Sequence, residues 1–165
     1  MNFLRELTEN DDEHQQALDQ TGFWGKAGSG ALFIARSTGR ILFNHRGPHV
    51  QEPNEWGVWG GAMDEGENPK QAAKREAHEE AGIDVQDEDI IQLYVFHDQQ
   101  SGFRYFNHLI IVQDEFTPTL DWETQGSKWV EFGDWPTPMH FGVKSLLGDQ
   151  KSVQVIKQLA QKYSH

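Results

Sequence analysis

The sequence predicts a mixed-sheet α/β domain of α+β-like order, and three observations carry the prediction. Apolar, β-rich runs come as two hairpins, Ala31–Ala35 with Arg40–Asn44 and Ile90–His97 with Gly102–Val112. A capped helix from about Pro69 to Ala81 lies between them. Two further helical stretches, Phe141–Leu147 and Gln150–Tyr163, close the chain.

Each element has a local reason. Near the start, Asn10 with Glu13 fits a capping box for a short helix over Asp11–Asp19, and Thr21–Gly30 reads as a loop. Residues 1–30 thus form a helix-and-loop extension of a single domain spanning residues 1–165. Gly25, Gly28 and Gly30 match neither the dinucleotide-binding nor the Walker spacing, and a strand follows them where a phosphate loop needs a helix. Ser37 to Gly39 turn the first hairpin, and Asp98 to Ser101 turn the second. Trp56–Gly61 (WGVWGG) is a short strand that leaves through glycines, and Ser127–Phe132 (SKWVEF) is another strand. In the last helix Val155, Ile156, Leu159 and Tyr163 share one face.

Composition narrows the function classes. The chain has 165 residues, 36% of them hydrophobic and 12% aromatic, enough for one substantial core. Cysteine is absent, which excludes disulfides, thiolate zinc sites and a cysteine nucleophile. A net charge of −12 argues against non-specific binding to nucleic acid or anionic membranes, whose phosphates call for Lys and Arg. A small phosphorylated substrate stays compatible with that charge if divalent cations stand between the two sets of anions. No apolar run is long enough to span a membrane. The opening MNFLRELTENDDEHQQ lacks the basic and apolar regions of a secretion signal, so a cytoplasmic location is expected. His78, His97 and His108 have no zinc-ligand spacing and no HExxH pattern occurs, so zinc is not expected.

The internal helix concentrates charge. Asn68 is a good N-cap, Pro69 suits the first helical position, Gln71 completes a capping box, and Gly82 suits a left-handed C-terminal turn. With Arg75 at zero, Glu79 falls at about 40°, Glu76 at about 100° and Glu80 at about 140° around the axis. Three carboxylates share one arc, and Glu76 and Glu80 repel as like charges four residues apart. The lysines that relieve such repulsion on ordinary solvated helices are missing. The apolar residues here are all alanines (Ala72, Ala73, Ala77 and Ala81), so the helix buries little side-chain area. Clustered carboxylates suit Mg²⁺ or Mn²⁺, yet charge runs also serve as plain solvated faces. The helix alone leaves both readings open.

The wider spacing decides between them. Gly61, five residues, Glu67, seven residues, Arg75-Glu76-Ala77, one residue, Glu79-Glu80, one residue and Gly82-Ile83 together resemble the Nudix box, G-x5-E-x7-R-E-U-x-E-E-x-G-U, where U is bulky and aliphatic. All seven fixed residues match. Ala77 departs, standing where the family usually has Ile, Leu or Val, and implies lighter packing under the helix. The resemblance implies the family fold, a mixed β-sheet sandwiched between helices.

It also implies an activity and a set of roles. Nudix enzymes hydrolyse a nucleoside diphosphate linked to another group and use a divalent metal, here Mg²⁺ or Mn²⁺. Carried onto this chain, Glu76, Glu79 and Glu80 would be metal ligands, with the backbone carbonyl of Gly60 as a further one. Arg75 would hold a carboxylate by a bidentate contact, and Glu67 would support the loop–helix junction and pair with Arg75. Gly61 and Gly82 would supply loop and cap geometry. The base that takes a proton from water would be a box glutamate (Glu76 or Glu79) or Glu123 in LDWETQG, with Asp114 and Glu115 as weaker rivals. Trp56, Trp59, Tyr105 and Phe106 are candidates to stack on a base, against the alternative that they belong to the sheet. No proline lies between Pro69 and Pro118, and the SQPW tag is missing, which disfavours ADP-ribose and NADH as substrates. The expected partner is a small nucleotide diphosphate, and a homodimer is compatible with this reading. A Nudix-fold nucleotide sensor without activity is the alternative; intact Glu76, Glu79 and Glu80 favour the enzyme.

Overall fold

The structure, a computed structural model, describes residues 27–164. The helix expected over Asp11–Asp19 and Gly25 lie outside the described residues. β1 (Ala27–Ala35) is the centre of the fold and is buried along nearly all its length. It begins within the segment read as loop, so Gly28 and Gly30 belong to a strand. β2 (Ile41–Arg46) returns antiparallel to it, as the first hairpin predicted, with Phe33 opposite Leu42.

WGVWGG splits into two pieces with different neighbours. β3 (Trp56–Gly57) pairs with β2, and β4 (Trp59–Ala62) pairs antiparallel with β1. β5 (Ile90–His97) and β6 (Arg104–Val112) form the second expected hairpin, and β6 runs parallel to β1 from Ala27–Arg104 to Ala35–Val112. β7 (Thr124–Val130) lies antiparallel to β2 and starts earlier than SKWVEF suggested. The seven strands make one mixed sheet, ordered β3-β2-β1-β6-β5 with β4 beside β1 and β7 beside β2.

Alternation along β1 sends successive side chains to opposite faces and builds two cores. Ala31, Phe33 and Ala35 join Trp59, Ala77, Ala81, Val85 and Ile110 on one face. Leu32 and Ile34 join Ile41, Phe43, Leu109 and residues of the C-terminal helices on the other. Those helices are α2 (Phe141–Leu147) and α3 (Gln150–Tyr163), with Asp149 capping α3 through the Ser152 N–H. No helix among the described residues is long and apolar enough to cross a membrane.

α1 (Pro69–Glu76) carries the charge. The Asn68 side chain accepts from the Gln71 N–H at 2.8 Å, and the Gln71 side chain accepts from the Asn68 N–H at 3.0 Å, so the capping box closes as expected. The α-helix ends earlier than expected, however. Ala77–Ala81 forms a π-turn before Gly82 caps it in the left-handed region at φ 74°. Widened turns of this kind recur at functional sites, and this one carries Glu79 and Glu80.

Candidate metal and active site

The site grows from the β4–α1 connection. On β4 a carboxylate packs against Gly61, while Gly60 is crowded by the Ser29 carbonyl, Gly30 and the Tyr105 hydroxyl. A Cβ on Gly61 would sit 3.0 Å from Glu76 Oε1, tighter than ordinary side-chain contacts. The Gly60 N–H donates to Glu80 Oε2 at 3.0 Å, tying the far end of the box helix to the strand.

Arg75 organises the near end. Its Nε donates to Glu67 Oε2 at 2.8 Å and its Nη2 to Glu67 Oε1 at 3.0 Å, a two-pronged contact. Nη1 reaches Glu76 Oε1 and Glu79 Oε2, each at 3.0 Å, and Nη2 also reaches the Ala62 carbonyl at 3.1 Å. Asp64, absent from the sequence reading, adds a carboxylate 3.2 Å from Nε. The guanidinium is thus a hub for four acidic side chains; the Glu67 hydrogen bond first, against burial, and then the charges of Glu76, Glu67 and Asp64 hold its proton more firmly than usual. Burial pushes Glu67 up, but the Arg75 hydrogen bond, the Asp64 N–H and the Arg75 charge together hold it below the usual carboxylate range.

The other carboxylates move the opposite way. Burial raises Glu76 to about 7; the Arg75 charge opposes this, while Glu79 and Glu123 add to it. Glu80 keeps some residue-level exposure, yet its carboxylate is pushed well up, by burial first and then by Glu76, Glu123 and Asp121. Glu123 is raised by burial and by Asp121, against the pull of Arg46. Carboxylates from two distant stretches therefore share one field, and each makes the next harder to ionise.

The loop before β7 closes this group. The Gly47 N–H donates to the Glu123 carbonyl at 2.7 Å, and the Glu123 N–H donates to Asp121 Oδ1 at 2.9 Å. Asp121 and Arg46 escaped the sequence reading; Asp121 was visible only as the acid two residues before Glu123, and Arg46 had no motif at all. The rivals lie elsewhere. Glu115 is bound by Arg40 at 2.6 and 2.8 Å and by Thr38 at 2.7 Å, at the β1–β2 turn, and Asp114 is exposed.

The four aromatic candidates are placed less favourably for a base. Trp59 is 1% exposed and Tyr105 2%, so neither ring offers a free face, which corrects the stacking expectation for both. Trp56 lies flat on His45 with centroids 4.1 Å apart, and the Arg104 guanidinium covers Phe106 at 5.6 Å. Trp122, next to Glu123, is 63% exposed and was missed.

A second titratable group sits apart from the box. Ligand atoms of Glu52, Glu55 and His140 lie within 4.8 Å of one another. His140 Nδ1 accepts from the Gly142 N–H at 3.1 Å, and its Nε2 lies 2.7 Å from Glu52 Oε2. Burial, then Arg46, lowers the imidazole to about 3, so the ring is neutral. With Nδ1 accepting, its proton is on Nε2 and faces Glu52. A metal ligand needs that lone pair free and the other nitrogen donating, so this group fits a close His–Glu contact better than a cation site.

Comparison with known proteins agrees with the geometry. The NUDIX domain model matches residues 26–149. A nucleoside triphosphate pyrophosphatase/Nudix hydrolase fusion protein of Bifidobacterium longum is 32% identical over 77 residues, covering 43% of this chain and 16% of that protein. The chain thus spans only a minor part of that relative's length. The crystal structure of a MutT NUDIX hydrolase from Burkholderia pseudomallei superposes with a TM-score of 0.59 at 25% identity, covering 75% of this chain and 96% of that one. A Nudix hydrolase from M. smegmatis, RenU, shares the fold with a TM-score of 0.57 at 24% identity, covering 82% and 85%.

Proposed function

The chain belongs to the NUDIX domain family, and from that premise we propose that it hydrolyses a pyrophosphate bond in a nucleoside diphosphate linked to another group. The observation that supports this reading is the convergence of Glu76, Glu80 and Glu123 in one desolvated field beside the Arg75 hub. A purely structural helix face has no reason to bury carboxylates that raise each other's pKa.

The donor set fits Mg²⁺ or Mn²⁺, since every candidate ligand is an oxygen and the carboxylates are too crowded to ionise comfortably alone. Glu76, Glu79 and Glu80 would hold the ion, with the Gly60 carbonyl as a further ligand. A divalent cation there supplies charge neutralisation of the diphosphate and a more acidic water. Arg75 keeps Glu76 and Glu79 in place, and Glu67 with Asp64 fixes Arg75. Glu123 accepts the proton of the attacking water, and its raised pKa brings it nearer to the range a general base needs at neutral pH. Trp122 is the aromatic best exposed to meet a base beside that loop.

The test is a panel of nucleoside triphosphates, nucleotide sugars and dinucleoside polyphosphates with Mg²⁺ or Mn²⁺, the products identified by mass spectrometry. Metal-dependent cleavage is expected, and it should be lost in Glu80→Gln. No cleavage of any member, or full activity in Glu80→Gln, overturns the proposal. Ligand-induced thermal stabilisation without product would mark a binding module instead.

A further inference from the structure

Gly28 and Gly30 resembled a phosphate loop too weakly to be one, and their positions in β1 show what they accommodate. Tyr105 on β6 is in register with Gly28, and its ring leans across the strand. A Cβ at Gly28 would lie 2.6 and 2.8 Å from Tyr105 Cδ1 and Cε1. A Cβ at Gly30 would lie 2.2 Å from the Tyr105 hydroxyl, and one at Gly60 on β4 would lie 2.4 Å from that same oxygen. The tyrosine therefore occupies the side-chain space of three glycines on two strands, and its hydroxyl ends over Gly60.

Phenylalanine would fill the strip over Gly28 equally well. Only the hydroxyl reaches the space beside Gly30 and Gly60. Gly60 is the residue whose N–H holds Glu80. It is thereby held from two directions, by the tyrosine oxygen against its Cα and by the carboxylate at its N–H.

We propose that Tyr105 is a positioning residue: its hydroxyl clamps the Gly60 backbone and so sets where Glu80 and the Gly60 carbonyl can meet a cation. The proposal rests on the metal-dependent reading above and adds a residue far from the box in sequence. Tyr105 touches no reacting atom in this scheme. It acts only through β4.

The test is Mn²⁺ binding to the nucleotide-free protein, followed by electron paramagnetic resonance, in wild type and Tyr105→Phe. Loss of an outer partner of a metal ligand typically weakens binding tenfold or more, so about a tenfold weaker Mn²⁺ affinity is expected in Tyr105→Phe. The kcat should fall while KM for nucleotide stays within about twofold, because the substrate contacts are untouched. Unchanged Mn²⁺ affinity in folded Tyr105→Phe overturns the proposal, whereas a wild type that binds no Mn²⁺ overturns the metal reading itself. A measurement on the unmodified protein guards against a variant that does not fold. The Gly60 amide should resist hydrogen exchange as strongly as that of Phe33 in the core, and exchange at the rate of an exposed loop sinks the clamp.

Discussion

α1 and α3 pack on opposite faces of the same sheet, and they do so by different means. α3 buries Ile156, Ala160 and Tyr163, with Leu159 beside them, in a core shared with Leu32, Ile34 and Phe43. Its hold on the sheet is apolar and needs no partner chemistry. α1 and its π-turn bury only alanines and Glu76. Besides Ala77 and Ala81 in the Phe33–Trp59 cluster, its hold is polar: the buried Ser29 hydroxyl donates to the Pro69 carbonyl at 2.8 Å, Arg75 gathers the acids, and Glu80 bonds Gly60. The lesson is a division of labour. Both faces bury an apolar core, but only one of them also positions charge, so substitutions of the charged groups and of the opposite core should separate activity from stability.

The largest effect should come from Glu80→Gln on the charged face. Activity should fall on the order of 10³-fold, since the variant removes a proposed ligand and one of the anions that tune the others. Thermal stability should hold or rise, because a carboxylate that burial disfavours has been replaced by a neutral amide. A large drop in the melting temperature of the metal-free variant would break the division, since it would make Glu80 structural.

Ile156→Ala is the mirror experiment. The residue is fully buried, so unfolding in urea should show a loss of about 3 kcal/mol. Its kcat/KM at a temperature where it stays folded should match wild type, and a tenfold loss there would mean that the two faces are coupled.

Ala77 tests whether the charged face has room. The resemblance led us to expect light packing at this position, yet Ala77 is buried beside large neighbours from the sheet side. Trp59 and Phe33 stand edge to face with centroids 6.4 Å apart, and Phe116 meets Phe33 at 5.3 Å. Aromatic residues of the same cluster fill the space around the Ala77 side chain. Ala77→Leu should therefore destabilise by about 2 kcal/mol through overpacking, measured by thermal unfolding. A stabilised variant would show that a void exists after all.

These contrasts also show how far the sequence could be read. Both hairpins and all three described helices follow from local patterns: apolar runs, the Asn68–Gln71 box and the face of α3. The box spacing singled out Arg75, Glu67 and the glutamates because that motif is contiguous. Asp121, Arg46 and the role of Tyr105 were not legible, because each depends on strands that are neighbours in space and far apart in sequence. The π-turn was invisible for another reason. Gly82 marks where the helix stops but not how wide its last turn is. Burial corrected Trp59 and Tyr105, since an aromatic in a strand reads alike whether it faces a ligand or a core.

pH offers the finest division between the faces, because two buried groups respond in opposite senses. His140 caps α2 on the apolar face, and its folded pKa of about 3 lies below its ordinary 6.5. The unfolded chain then binds the proton more tightly. The stability His140 contributes is complete above pH 6.5 and is lost as pH falls from there toward 3. Glu76 on the charged face is raised from 4.5 to about 7, so its contribution is complete below pH 4.5 and is lost as pH rises through 7. Falling pH below 6.5 should loosen the first face, and rising pH between 4.5 and 7 the second. His140→Asn keeps a capping acceptor for the Gly142 N–H but removes the titrating ring. Wild type should lose on the order of 2 kcal/mol more than this variant between neutral pH and pH 5, from the gap to the unfolded pKa. Urea unfolding of both proteins across that range is the measurement. Parallel stability curves would mean that His140 binds its proton equally well in the folded and the unfolded chain, and burial would then not lower its pKa.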